Sequence, residues 1–511
     1  MNLFKSFFTI FFLGCSCIAL SQSVELDQNF GNGGIVITPG TTEIVKTLFT
    51  QNDKILSVGY YYKDSLSSNY DWALARYNLD GSLDNSFGDR GLVFNADTCI
   101  SVPYDMAIQS DNKIIVLASR HYGFIETSPG TWTGLYKSII VRYNPNGERD
   151  STFGDNGHII INLDSYSLYS IKLLENNQIL IVGSIGDKSI LLKLNADGSI
   201  DNSFGNSGLV TFDDPNFKFI TYEFLILNDG NILCYGGEFL GYDTIFGESY
   251  GRIAIVKLDL NGELVTLFGN NGKVLINNEQ TYGFNFIRKA IEMDNNQILF
   301  GGNTNKSIFL KINPDGSLVE NFGSNGILEH SIPFSDMVVD TAGKIFLVRS
   351  KVIANYDYGY SICRFNSNGT IDSTFNNTGY FDLNISPGND YVQCINIQSD
   401  GKLLLSGSSR TTLAANFTIV RIINPTIGIE NITIRDDFKF YPNPFHDELN
   451  IKSEEEVLSE IIIYDITGQT VFSKLYNSKE TSLSLNIPKG TYICDIITLR
   501  GKRYTRKIIK L

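Results

Sequence analysis

The sequence predicts an all-β protein, a seven-bladed β-propeller followed by a small C-terminal β-sandwich. Three observations carry that prediction. A Phe-centred motif recurs seven times with fixed internal offsets, helical periodicity is absent, and the two ends of the repetitive region are complementary fragments of one unit.

The repeated Phe stands at Phe30, Phe87, Phe153, Phe204, Phe268, Phe322 and Phe375, at intervals of 51 to 66 residues. Gly follows directly in every copy except the seventh, where Asn376 stands. A second Gly follows four residues after the Phe, at Gly34, Gly91, Gly157, Gly208, Gly272, Gly326 and Gly379. In the six complete units an Asx-Gly pair precedes the Phe, as in Asp80-Gly81 and Asn146-Gly147, and a basic residue lies eleven positions upstream. Because the offsets hold while the spacing varies, insertions fall elsewhere and the stretch is one fixed supersecondary unit. Asx-Gly between apolar runs signals a hairpin, here expected to use a primed turn. A second turn recurs upstream at Asn52, Asp111, Asn176, Asp229, Asn295, Ala342 and Asp400. Each unit thus holds about four short strands.

A four-stranded sheet has two faces and cannot cover both alone, so neighbouring units must stack on it. The last unit stops at Pro425 without its Phe-Gly portion. The segment Leu26 to Ile37 is that missing portion and little else. A linear array would want polar caps at its ends, whereas a ring closes when one end completes the other. The propeller is therefore expected over residues 22–425, with residues 24–40 completing the last blade.

The composition sets limits on function. The 511 residues carry a net charge of −14, which disfavours nucleic acid or an anionic membrane as the main partner. Lys5 followed by the apolar run Phe7 to Leu20, with Ala19-Leu20-Ser21 at its end, reads as a signal peptide over residues 1–21. No comparable run elsewhere suggests a transmembrane anchor. Five cysteines remain beyond it, without CxxC spacing, so neither a disulfide framework nor a zinc site is implied. A single bridge such as Cys363–Cys394 stays open.

No catalytic constellation emerges. His121, His158, His330 and His446 occupy unrelated contexts, and neither a GxSxG elbow nor an HExxH helix occurs. No cofactor is implied. Calcium at Asn78-x-Asp80-Gly-x-x-Asp84 is the weaker alternative to a plain hairpin, since the bidentate Glu of a calcium loop is missing. The basic series Arg76, Arg142, Lys193, Lys257, Lys311, Arg364 and Arg421 suggests local pairing, because Asp lies eight residues later in four units. The repeated Phe reads as a wedge between blades. Asp105 and Asp336 fall on equivalent first strands and are candidates for facing a channel. Long insertions carry Tyr122, Trp132, Tyr242 and Tyr358, residue types suited to glycan or protein contact.

The segment Asn78-Leu-Asp-Gly-Ser-Leu-Asp-Asn-Ser-Phe-Gly-Asp-Arg-Gly91 and its copies resemble the delta-60 repeat family of exported bacterial proteins, over roughly residues 24–425. Val265 and Val319 depart from its pattern by replacing the Asp three residues before the Phe. The resemblance implies a propeller-like repeat without an assigned catalytic activity.

Beyond the polar linker 426–437 the repeat disappears. Residues 438–511 carry 11 basic and 9 acidic residues, so nearly all the negative charge belongs to the ring. Short strand-like runs predict the sandwich. Its landmarks are Tyr441-Pro442-Asn443-Pro444-Phe445, the turn at Gly468, and Pro488-Lys489-Gly490-Thr491-Tyr492. They resemble the type A C-terminal sorting domain of the type IX secretion system of Bacteroidetes. That resemblance implies the type IX machinery as partner and a secreted or outer-membrane-surface destination. The function expected is a non-enzymatic binding or structural propeller for an extracellular glycan or protein. The alternative is an extracellular propeller hydrolase or lyase acting on glycans, with a metal in the channel.

Overall fold

The computed structural model describes residues 23–424 and 438–511, apart from the stretches 63–69, 96–99, 129–130, 162–165, 186–187, 244–247, 277–285, 294, 304–305, 332, 355–356, 411–414, 454–456, 466–468 and 499–502. The signal segment, the linker and Gly468 lie outside the described residues. Two compact units divide at residues 425 and 426. Among the described residues all regular elements are strands.

Among the described residues, Glu25 to Ile423 form seven antiparallel sheets. The first blade is a simple meander of Ile44–Phe49, Ile55–Tyr62, Tyr70–Tyr77 and Leu92–Phe94. The next five repeat it, beginning at Ser101, Tyr166, Phe219, Phe286 and Asp336. The second and third strands of a blade, such as Ile55–Tyr62 and Tyr70–Tyr77, are buried along most of their length. Neighbouring blades cover both of their faces, which is why they read as continuous apolar runs instead of alternating ones. Outer strands such as Leu92–Phe94 span only three or four residues and leave little unpaired edge.

The hairpins differ from the expected primed turns. Gly81 N–H bonds to Asn78 O, and only Gly81 in that loop has positive φ, at 86°. A type I turn followed by one left-handed residue satisfies those bonds. The upstream turn is built likewise, with Asp53 at 58°, Asn112 at 63° and Asn177 at 62°. A single left-handed position accounts for the Asx or Gly there.

The repeated Phe residues lie at blade boundaries and are 0–2% exposed. Phe87 sits beneath the Arg76 guanidinium, 4.4 Å from its ring centroid, and against Gly147 of the next blade, where a Cβ would come within 3.0 Å of the ring. The N–H of Gly88 then donates to Asn146 O of that next blade at 2.8 Å. At φ 53° a Cβ on Gly88 would fall 2.2 Å from Leu92 O, so the position is closed to ordinary side chains. Arg76 pairs with Asp84 at 2.7 Å and also donates to Pro145 O of the neighbouring blade. Arg142–Asp150, Arg364–Asp372 and Arg421–Asp27 repeat the arrangement at 2.8, 2.9 and 2.9 Å. Arg142 and Arg421 likewise donate to Ala196 O and Leu79 O of the following blades, so these arginines fasten one blade to the next, while Lys193 and Lys257 pair within their own blades. Replacing Phe204, 1% exposed beneath Lys193 and beside Gly262, by Ala is expected to cost about 3–5 kcal/mol in denaturant unfolding. A cost under about 1 kcal/mol would contradict its placement.

The seventh blade is assembled from both ends of the repeat region. Asp390–Ile397, Leu403–Arg410 and Ala415–Ile423 supply three strands, and Ile35–Thr38 pairs with the third in the register Ile35↔Val420 to Thr38↔Phe417. Glu25 and Leu26 pair with Ile423 and Ile422. This blade packs on the first through bonds from Ser406 Oγ to Thr47 Oγ1 at 2.7 Å and from Phe417 N to Thr41 Oγ1 at 2.8 Å. With each sheet also packed on its successor, the ring is closed. Asn376, the exception to the Phe-Gly rule, stands at this seam. Its side-chain Oδ1 lies 3.5 Å from Val24 N, and its Nδ2 donates to Tyr380 O at 2.9 Å. The Asx-Gly turn that would meet a glycine there is interrupted between the two chain segments.

The C-terminal unit has a three-stranded sheet of Phe438–Tyr441, Glu448–Ser453 and Glu480–Ser484. A four-stranded sheet contains Leu458–Tyr464, Thr470–Ser478, Gly490–Thr498 and Arg503–Lys510. Phe445, Leu449, Ile451, Ile461, Ile463, Cys494, Ile496 and Ile508 fill its core.

Candidate binding site at the channel mouth

The first strand of each blade lines the ring axis. Six of these strands carry a register shift, between Ile44 and Lys46, Pro103 and Asp105, Leu168 and Ser170, Thr221 and Glu223, Ile287 and Lys289, and Val392 and Cys394. Each is a β-bulge that re-aims the residue after it. Asp336 holds the equivalent place in the sixth blade. Lys46, Glu223, Lys289, Asp336 and Cys394 line an axial cavity of about 540 Å³. Asp105 and Ser170 are buried behind that surface.

These groups form a closed electrostatic network. Asp105 meets Lys46 Nζ at 2.9 Å and accepts from the N–H groups of Ile171 at 3.0 Å and Met106 at 2.9 Å. The Ser170 hydroxyl lies 2.8 Å from Asp105 and 2.7 Å from Glu223, and its one proton serves either. Lys172 pairs with Glu223 at 2.8 Å, and Lys289 with Asp336 at 2.9 Å. Burial alone would raise the Asp105 pKa, but Lys46 and Lys172 overcome it and hold the carboxyl well below its usual range. Burial would likewise lower Lys46, and Asp105 with Glu223 hold its ammonium above the ordinary value. Burial pushes the Cys394 thiol up to about 11, so it stays protonated and donates to Val45 O at 3.4 Å.

Asp105 and Asp336 thus occupy equivalent axial places, with their oxygens committed to ammonium and amide donors. Among the described residues no three His, Cys, Asp or Glu side chains gather as a metal site. At the Asx turns Asp80 accepts from Ser82 N and Oγ, while Asp84 faces Arg76, Lys54 and Ser86. These bonds are those of a plain hairpin turn. Cys363 and Cys394 are separate free thiols, which corrects the possible bridge.

The bulged residue itself stands on the side of the long hairpins. Around the ring it is Val45, Tyr104, Tyr169, Tyr222, Arg288 and Gln393, with Ser335 before Asp336 in the sixth blade. Three successive blades therefore carry tyrosine. Tyr169 and Tyr222 meet edge-to-face, with ring centroids 4.9 Å apart, and the Tyr169 hydroxyl lies 2.8 Å from Ser184 Oγ. Tyr104 and Tyr222 are 41% and 45% exposed. Burial of their inner parts, with neighbouring phenols, raises both pKa values and keeps the hydroxyls protonated. Beside them the hairpin of Ile114–Ser128 and Thr131–Tyr143 brings up Tyr136 and Phe124, packed on either side of His121 at 4.9 and 4.8 Å. Tyr122 and Tyr358 are exposed, while the side chains of Trp132 and Tyr242 lie outside the described set. The sequence reading did not single out Tyr104, Tyr169 or Tyr222. A signal was present, since each rim residue lies seven positions before the first residue of the upstream turn.

In the C-terminal unit, Tyr441-Pro442-Asn443-Pro444-Phe445 and Pro488 to Tyr492 converge on Arg503–Lys510. Asn443 accepts from Ile509 N at 2.9 Å and donates to Lys507 O at 3.0 Å. Phe445 is fully buried, Gly490 pairs with Lys510, and Tyr492 donates to Pro488 O at 2.8 Å.

Residues 439–511 match the secretion system C-terminal sorting domain family. Residues 50–87, 130–153, 174–204 and 343–375 match a β-propeller domain of unknown function, DUF5122. No curated protein matches the chain by sequence. Among solved structures, the chain is similar to PorZ of Porphyromonas gingivalis, a bacterial surface component of the type-IX secretion system. The identity is 11%, covering 93% of this chain and 60% of that one, with a TM-score of 0.40. Proteins of unknown function from Bacteroides caccae (11% identity, 68% and 100% covered, TM-score 0.33) and Dyadobacter fermentans (9%, 79% and 98%, TM-score 0.36) are also similar. This chain thus spans about 60% of the length of PorZ. The repeat region is a β-propeller, and the C-terminal unit is a secretion system sorting domain that directs the chain to the cell surface or the medium. Among the described residues no helix is long and apolar enough to cross a membrane.

Proposed function

From a chain that ends in a sorting domain, we infer an extracellular, non-catalytic binding propeller, exported by the type IX machinery through that domain. Its ligand rests on the tyrosine rim at the channel mouth. The observation that carries this reading is the placement of Tyr104, Tyr169 and Tyr222 at one structural position on three successive blades, two of them close to half exposed. A purely structural tyrosine would be expected to bury its ring. Phenol rings present a flat apolar face and a hydroxyl at low entropic cost, which suits the faces and hydroxyls of sugar rings. The hydrolase alternative needs free carboxylates, and Asp105, Glu223 and Asp336 each carry a lysine partner. A glycan is therefore favoured as ligand over a substrate to be cleaved.

The test is binding of the exported chain to a glycan array, followed by titration. Tyr222→Ala is expected to weaken binding about tenfold, roughly 1.4 kcal/mol, with unfolding shifted by less than about 0.5 kcal/mol. Undiminished binding by Tyr222→Ala, or turnover of a bound glycan, would refute the reading.

A further inference from the structure

The axial cavity holds one more cation than its ion pairs use. Lys46, Lys172 and Lys289 are matched by Asp105, Glu223 and Asp336. Arg288 lines the same cavity, is exposed, and has no hydrogen-bond or ion-pair partner among the described residues. It is also the rim residue of the fifth blade, directly after Tyr222 on the fourth. Equivalent positions on adjacent blades bring the rings of Tyr169 and Tyr222 to 4.9 Å, so the rim passes from aromatic faces to a guanidinium within one blade step. Ser335, the next rim residue, also lines the cavity. Arg288 thus places an unpaired positive charge at the axis of a chain whose net charge is −14. Arg288 and Ser335 belong both to the rim and to the wall of this cavity of about 540 Å³, whereas the three tyrosines belong to the rim alone.

We propose that the rim selects a carboxylate-bearing glycan, with a uronic-acid residue lying on Tyr222 and its carboxylate held by Arg288. The inference rests on the binding function proposed above and adds the chemical class of the ligand. A planar guanidinium engages a carboxylate through two parallel N–H donors, so it confers geometry as well as charge. Neutral sugars would keep the ring contact and lose the fork.

The full chain is titrated with polygalacturonate, alginate and hyaluronate, each against its carboxyl-reduced counterpart, and with poly-glutamate. At least one acidic polymer is expected to bind about tenfold tighter than its reduced form, with the preference shrinking as salt rises. Arg288→Gln should abolish that preference while leaving affinity for the reduced polymer and the melting temperature unchanged. Arg288→Lys should restore it only in part. Equal binding of acidic and reduced polymers, or a preference surviving in Arg288→Gln, overturns the inference and leaves the tyrosine-rim reading standing. Binding of none of these polymers overturns the inference, and the glycan array then decides the tyrosine-rim reading by itself. Poly-glutamate binding that needs Arg288 but not Tyr222 overturns the glycan class in favour of an acidic peptide.

Discussion

Removal of residues 23–40 is expected to unfold the propeller as a whole instead of fraying one blade. This segment supplies Ile35–Thr38 as the outer strand of the seventh sheet and Glu25–Leu26 as its continuation. It also carries Asp27, which is 2% exposed and pairs with Arg421 at 2.9 Å and Lys402 at 3.4 Å. Phe30, fully buried, lies 4.4 Å beneath the Arg421 guanidinium and against Gly81 of the first blade, while Gly31 N–H donates to Asp80 O at 2.7 Å. Deletion therefore strips an edge from the buried strand Ala415–Ile423 and removes the wedge joining the last blade to the first. Loss of the Phe30 side chain alone is worth about 3–5 kcal/mol. The paired strand and the buried ion pair add to a total comparable with the whole 5–15 kcal/mol stability of a typical domain. Calorimetry should show the main transition lost or lowered by more than about 10 °C. A synthetic peptide of residues 23–40 should restore it when added back. An unchanged transition would mean that the ring does not depend on its closure.

What the sequence displayed and what it concealed follow from where each residue finds its partner. The Phe-Gly unit was legible because every blade uses the same contact to its successor, so Phe87 and Gly147 recur in kind around the ring. The complementary fragments at Leu26 and Arg421 were legible for the same reason. The pairing of Arg76 with Asp84 was visible as an offset of eight, since both partners sit in one hairpin. The channel follows another rule. Its seven axial positions are Lys46, Asp105, Ser170, Glu223, Lys289, Asp336 and Cys394, and complementarity there runs between neighbouring blades. Unlike residues are required at equivalent places, so no repeated letter marks them, and Asp105 and Asp336 stood out only by coincidence of type. The tyrosine rim was hidden by the bulge. An inserted residue changes which side chain faces the axis and leaves no composition signal, although its distance from the turn stays constant. Asn376 shows the converse, where a break in the repeat marks the seam between the chain's two ends.

The axial network sets the second large effect, an expected loss of about 3–5 kcal/mol on replacing Asp105 by Ala. The carboxylate is 3% exposed and accepts from Lys46, Ile171 and Met106, with Ser170 and Lys172 beside it. Its removal leaves the Lys46 ammonium, in the wall of the axial cavity, without its nearest counter-charge. The greater part of the cost is that uncompensated charge, so Asp105→Ala combined with Lys46→Met should recover most of the stability. Acid offers a separate check. Burial raises the Asp105 pKa and its lysines lower it further, so the folded value lies below the unfolded one, and the stabilisation is complete above the unfolded value. It is lost as pH falls through the folded value, so wild-type stability should decline below about pH 4. Asp84, Asp150 and Asp372 are shifted in the same direction, Asp372 to about 2, and contribute in the same window. The difference between wild type and the double variant isolates Asp105. Urea titrations from pH 7 to pH 2 should therefore show wild type, close to the double variant near neutrality, falling below it at the acid end, and parallel curves would show that the axial pair does not hold the ring together.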